Sequence, residues 1–332
     1  MAMKQRIEYI DIAKALLIIF LIWSHYRMIS RFQEVDDSML KWMGSIVKIF
    51  ATFFMQTFFL LTGFCSSFKG QFKEYLWKNV KTILIPGIIL CVLDRALYNA
   101  LPGTPFEHTP SAMEWLVDGG PWFIFAMFWA KLLYWPMAHL SIKKQLAICW
   151  GGYLLVLVQE QFFPIANTVW FKHALLMLPY LCIGNIARLY IEQVNRYLPY
   201  LSIAGIIILF SEYMLCLPMP IHDYYIGISL KSAPVHIFNV FAGSFAILGI
   251  SKKIGSCSVL QNIGQGTLLV YLLNECVVKT VIISFKPIYS NFYGPTLVIY
   301  HLVLFVICLL VFYILIRFIY GTKYLSWLVG KY

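Results

Sequence analysis

Ile7-Glu8-Tyr9-Ile10-Asp11-Ile12-Ala13-Lys14-Ala15-Leu16-Leu17-Ile18-Ile19-Phe20-Leu21-Ile22-Trp23-Ser24-His25 is the stretch whose reading decides the fold. It is apolar for long enough to cross a bilayer, yet it carries a lysine and a histidine. In a helix of about 3.6 residues per turn, eleven residues make almost three whole turns. Lys14 and His25 therefore share one face, separated by roughly 16 Å along the axis. A cation near one membrane surface and an imidazole deep along the same face are costly in lipid. Such groups usually face a bundle interior or a wet cavity, and they point to function.

Outward from this stretch the pattern repeats. Of 332 residues, 61% are apolar and 12% charged, with a mean hydropathy of +0.75. Ten apolar runs are long enough to span: about 7–29, 46–67, 80–98, 122–140, 146–163, 171–191, 198–217, 234–250, 267–285 and 296–320. No connection is long enough to hold a soluble domain. The expectation is an all-α integral membrane protein of about ten transmembrane helices, one membrane domain over 1–332. Lys4 and Arg6 lead straight into the first run with no small-residue cleavage site, so that run is expected to stay as an anchor.

The basic residues orient the chain. With the N-terminus inside, sixteen of the 26 Lys and Arg fall on the inner side, seven on the outer side and three (Arg95, Lys131, Lys279) within spans. The connection over 99–121 carries Glu107, Glu114 and Asp118 and no Lys or Arg. Both termini are thus expected in the cytoplasm, with the chain a multi-pass protein of the cell (inner) membrane. The net charge of +11 follows from this bias. The bases are spread over loops rather than gathered on one soluble face, so no nucleic-acid partner is expected. The eight cysteines form no CxxC pair and keep no His at metal-ligand spacing. They read as small packing residues, and no metal is expected.

The polar groups inside the spans have two readings each. Lys14 and His25 are either interfacial residues of the first helix or a donor site. In the second case Lys14 meets the phosphates of a cytoplasmic acyl-coenzyme A, whose pantetheine arm spans the distance to His25. Lys78 and Lys81 precede Pro86-Gly87, where a broken helix is expected. They are either a topology signal or a phosphate cradle at a donor portal. Asp94 and Arg95 either pair locally or line an acceptor site. Glu275 and Lys279 stand four apart, so an intrahelical ion pair is the simplest reading; the face they share with Asn274 could also orient a catalytic His. His173 and His301 read as packing residues. Trp122, Trp170, Tyr197 and Tyr320 read as interface anchors.

These residues resemble the acyltransferase-3 family of multi-pass membrane acyltransferases. The family's first helix bears a basic residue, ten intervening residues and a His, here Lys14 to His25. Arg is usual at the basic position, and the Lys is similar to the fucose 4-O-acetylase-like subgroup. Phe58-Phe59-Leu60-Leu61-Thr62-Gly63-Phe64 resembles the family's second-helix ending. Lys78 and Lys81 before Pro86 resemble an Arg-x-x-Arg pattern, Trp122-Phe123 a Trp-Phe pair, and Pro179-Tyr180 with Gly184 a further pattern. Ile263-Gly264-Gln265-Gly266 through Asn274 resembles a stretch that normally ends in His. Asn can donate and accept a hydrogen bond but does not transfer a proton near neutral pH.

The resemblance implies a membrane O-acyltransferase moving acetyl from cytoplasmic acetyl-CoA to a sugar hydroxyl of an envelope or exported glycan, lipid-linked or not. Acetyl-CoA is then a substrate, with no bound cofactor. His25 is the expected catalytic residue, as a general base or as an acyl carrier. Lys14, Lys78 and Lys81 are expected on the donor. Asp94, Arg95, Trp122, Asn274 and Glu275 are candidates for holding the acceptor. Asn274, Tyr271 and Thr62 are candidate oxyanion donors. The rival from another class is a multi-pass secondary transporter of a small solute, which shares broken helices and buried charges.

Overall fold

The first helix, α1 (Glu8–Arg31), packs against the two helices that follow it and against the last four α-helices of the chain, from residue 233 onward. The structure, a computed structural model, describes residues 7–31, 37–102, 122–162, 169–215, 229–292 and 294–329. The connection over 103–121 lies outside them, with the three acidic residues expected there. Glu8 and Asp11 sit in the first turn of α1, where acids complement the helix dipole.

After α1 come α2 (Asp37–Ala51) and α3 (Phe54–Cys65), which divide the expected second run at Thr52-Phe53. Then follow α4 (Phe72–Asn79), a π turn (Val80–Leu84) and α5 (Ile85–Ala100). The remainder is α6 (Trp122–Met137), α7 (Ile142–Phe162), α8 (Val169–Leu189), α9 (Ile191–Met214), α10 (Ala233–Ile254), α11 (Ser258–Gln265), α12 (Thr267–Phe285) and α13 (Pro295–Gly321). Among the described residues there is no strand. Proline and glycine punctuate several of these elements. Pro234 and Pro295 stand in first turns, and Gly255 (φ 73°) and Gly294 (φ 56°) flank helices in a left-handed backbone.

The helix break expected at Pro86-Gly87 is a π turn instead. Pro86 has no N–H and its ring crowds the carbonyl four residues back. The chain answers by widening: the Ile85 N–H bonds to Val80 O, five residues back, and the helix goes on into α5 without a gap.

Six helices among the described residues are long and apolar enough to cross a membrane: Glu8–Ser30, Ser38–Cys65 (α2 and α3 together), Ile191–Met214, Ala233–Ile254, Thr267–Tyr289 and Pro295–Gly321. The four other expected runs are helical as well, in α5, α6, α7 and α8. The exterior is that of a bilayer protein. On α9, Ile203, Ile207 and Phe210 are exposed; on α13, Ile299, Ile314 and Phe318 are. Apolar side chains turned outward in such rows suit lipid, since no aqueous surface would tolerate a patch of that extent.

Several crossings bring backbones into contact, among them that of Gly205 on α9 with Ala242 O on α10. A Cβ on Gly63 of α3 would lie 1.9 Å from Leu181 O of α8, and a Cβ on Gly184 of α8 would lie 1.9 Å from Leu60 O. The two glycines answer one another, and α3 and α8 meet without side chains between them. At Gly264 of α11 a Cβ would lie 1.8 Å from Asp11 O of α1. Small residues at such points are what allow membrane helices to approach closely.

Candidate functional site

Three helices build the site. α12 lies between α1 and α5, packed on both. From α1, His25 presents Nδ1 at 3.6 Å from Oε1 of Glu275 on α12. The second carboxylate oxygen of Glu275, Oε2, accepts a hydrogen bond from Nη2 of Arg95 on α5 at 3.2 Å. One residue back on α5, Asp94 Oδ1 accepts the Cys276 backbone N–H at 3.0 Å. So α5 and α12 hold each other by two charged contacts, and one free edge of the pair faces the imidazole. The side chains of His25 and Glu275 are each 18% exposed, against 6% for Arg95. The imidazole is thus enclosed but reachable.

The expected Glu275–Lys279 pair does not form. Lys279, 1% exposed, turns the other way and donates to the carbonyls of Tyr98 (2.9 Å) and Leu101 (3.2 Å). Its ammonium also lies 4.0 Å from the Tyr98 ring centroid. Tyr98 is in the last turn of α5 and Leu101 is its C-cap, where a cation is favoured by the helix dipole and by the lack of helical partners. Lys279 therefore caps α5, and Glu275 is left for Arg95 and His25. Asp94, Arg95, Glu275 and Lys279 make two negative and two positive charges between α5 and α12, a balance that makes the enclosure of all four tolerable.

The other expected site residues are placed elsewhere. Lys14 is half-buried at the far end of the same face of α1, with Nζ 3.6 Å from Asp11 Oδ1. Between it and His25, Ile18, Leu21 and Ile22 are buried, so this face is packed rather than open. Lys78 is exposed on α4 and Lys81 sits in the π turn, 5.5 Å from the Trp77 ring centroid; both segments pack on α6. Trp122 is buried rather than interfacial, its ring 4.6 Å from that of His173. Its neighbour Phe123 meets Tyr271 of α12 at 4.9 Å. The Asn274 amide donates to Tyr271 O in its own helix, which turns that donor away from an oxyanion role. Tyr197 is exposed, whereas Tyr320 donates its hydroxyl to Gln265 O. His301 packs as expected, hydrogen-bonded through Nδ1 to the Tyr26 hydroxyl at 2.7 Å.

One polar layer was not read from the sequence. Gln56 of α3 and His236 of α10 meet at 3.0 Å, Asn239 is buried one turn along, and Thr57 and Ser244 are hydrogen-bonded at 2.8 Å. The signal was there: Gln56-Thr57 in an apolar run, and His236 and Asn239 three apart on one face. Among the described residues no group of His, Cys, Asp or Glu is clustered so as to hold a metal ion.

Comparison with known proteins gives one finding. The acyltransferase-domain model of the acyltransferase-3 family matches residues 7–319. No curated protein and no solved structure matches the chain.

Proposed function

Because the chain belongs to the acyltransferase-3 family, we propose that it moves an acetyl group from cytoplasmic acetyl-CoA to a sugar hydroxyl of an envelope or exported glycan, lipid-linked or free. The family carries the acyl transfer. The donor, the acceptor, the fucose 4-O-acetylase-like subgroup, the ten spans, the inner cell membrane and the cytoplasmic termini are our reading. Motif order, charge bias and helix pattern support it.

The observation that carries the chemistry is His25 with Nδ1 turned to a carboxylate that a guanidinium holds in place. An imidazole so oriented has Nε2 left for substrate, and Glu275 stabilises the imidazolium as it forms. In the direct route Nε2 takes the hydroxyl proton while the oxygen bonds to the thioester carbonyl carbon. The C–S bond then breaks, and the coenzyme A thiolate recovers the proton from the imidazolium. In the stepwise route Nε2 first displaces the thiolate to give an acyl-imidazole; the hydroxyl oxygen then bonds to the acyl carbon, the C–Nε2 bond breaks, and the hydroxyl proton passes to the coenzyme A thiolate. Both routes balance, and both use the same residues. Lys14, Lys78 and Lys81 would meet the donor phosphates as point charges.

The test is acetyl transfer together with acetyl-CoA binding on purified variants. His25→Ala and His25→Gln should lose transfer by about 10²- to 10⁴-fold and keep donor binding. Lys14→Ala, Lys78→Ala and Lys81→Ala should weaken donor binding, with Lys→Arg exchanges tolerated. A folded His25→Ala protein transferring acetyl at near the wild-type rate would sink the mechanism. Solute uptake into vesicles without coenzyme A would favour the transporter reading in its place.

A further inference from the structure

Where α8 ends and α9 begins, on the membrane face that carries the start of α1, lies a slot of about 480 Å³. That volume is in the range of about 300–1,000 Å³ that takes small ligands. Six helices wall it, with Leu60, Ala187, Val194, Phe245 and Leu248 among the lining. The lining is apolar apart from Tyr9, Ser244 and the exposed Tyr190, and the first two are spoken for. The Ser244 hydroxyl is hydrogen-bonded to Thr57, and the Tyr9 hydroxyl donates to Asn195 Oδ1 at 3.1 Å. Nothing within the slot asks for a polar ligand.

The rim has the opposite character. Asn195, next to the lining residue Val194, also accepts from Lys252 Nζ at 3.2 Å. Lys252 stands one turn beyond Leu248, with Lys253 beside it and Arg196 nearby, all three exposed. Arg188, next to Ala187, donates to Ser66 O at 2.7 Å, two residues past the lining residue Phe64. Glu192 is the acidic residue on this stretch of α9. On α1, Glu8 and Asp11 flank the lining residues Tyr9 and Ile10, so the bases gather on the side of α8, α9 and α10. An apolar chamber with a basic rim on that side matches an amphiphile with an aliphatic chain and an anionic head.

We propose that this slot holds one acyl chain of an anionic membrane phospholipid, with the headgroup phosphate at the Lys252–Asn195 rim. The depth fits a chain in one leaflet, since the Thr57–Ser244 hydrogen bond closes the inner end near mid-helix. Under the orientation proposed above this is the cytoplasmic leaflet, whose anionic lipids attract basic segments. The site is distinct from His25, Glu275 and Arg95 and does not rest on the acyl-transfer reading.

Native mass spectrometry of the full-length protein in neutral detergent tests it, with phosphatidylglycerol and phosphatidylcholine of identical chains added in equal amounts. The expected result is one retained phosphatidylglycerol per chain. Ala187→Trp, which fills the slot, should lose it. Lys252→Glu, an exposed change that leaves the slot intact, should lower the preference for phosphatidylglycerol by about fivefold or more, the scale of one basic side chain at an anionic surface. If Ala187→Trp does not fold, Lys252→Glu alone decides. Equal retention of the two lipids by the wild type would reduce the slot to ordinary lipid contact and overturn the proposal. So would displacement of the phospholipid by palmitoyl-CoA, which would give the slot to another occupant. Retention by His25→Ala at the wild-type level is expected, because that change touches only the transfer site.

Discussion

Glu275 turns one carboxylate oxygen to Arg95 and the other to His25. It is therefore a positioning residue, and its removal should act through the imidazole. We expect Glu275→Gln to lower kcat by on the order of 10²-fold, the lower end of an acid–base contribution, with little change in KM for acetyl-CoA. Because the two residues act as a unit, the Glu275→Gln/His25→Gln double variant should be no slower than His25→Gln alone. Steady-state kinetics on the three proteins decide it; additive losses would mean that Glu275 acts on its own. Half of this arrangement was legible in the sequence. The Lys14–His25 spacing marked His25 without any tertiary information. The partner was legible only as the second of two readings, a face able to orient a catalytic His, because a carboxylate with a lysine four residues on also satisfies a local rule. The end of α5 claims that lysine instead, which no pattern within 267–285 reveals.

At the scale of elements, the motif glycines are sites where helices touch. Gly63→Ala drives a methyl into a backbone carbonyl that cannot swing aside, so the helices must part. We expect it to cost about 3 kcal/mol, at the upper end of typical overpacking, and to lower the thermal midpoint of the purified protein by several degrees. Gly184→Ala should behave alike, because it meets the same crossing from the other side. Gly151 is the control: its Cβ would meet nothing within 4 Å. Gly151→Ala should be neutral, or stabilising by up to about 1 kcal/mol through helix propensity. An unchanged midpoint for Gly63→Ala would refute the crossing. The lengths of the apolar runs placed the elements from sequence, but they did not show the divided second run or the π turn. Proline marks a disturbance without stating its form, and whether the helix stops or widens depends on what packs beyond it.

For the whole molecule, orientation is the claim on which the donor argument stands. Ser111, in the connection over 99–121 that the charge bias places on the outer side, lies outside the described residues. Lys286, exposed between α12 and α13, serves the same purpose. A cysteine at Lys286 should react with an impermeant maleimide in intact cells, and one at Lys144 only after permeabilisation. The reverse pattern would put the three lysines on the wrong side for cytoplasmic acetyl-CoA. Composition alone made the apolar exterior legible. The pairing of α5 with α12 was not, since Arg95 and Glu275 are 180 residues apart in sequence.

That separation is also a delay. A ribosome adding roughly 5–20 residues per second needs on the order of ten to forty seconds to deliver Glu275, Cys276 and Lys279 after it has made Asp94 and Arg95. For that interval a carboxylate and a guanidinium on a short helix lack the groups that later accept and donate to them. Such a segment has no comfortable place in hydrocarbon. It would wait at the insertion machinery or at the water interface and enter late, alongside α12. Assembly of this chain is then not a sequential laying down of spans. A protein truncated before residue 267 should leave α5 accessible to water even though every residue of that helix has been synthesised.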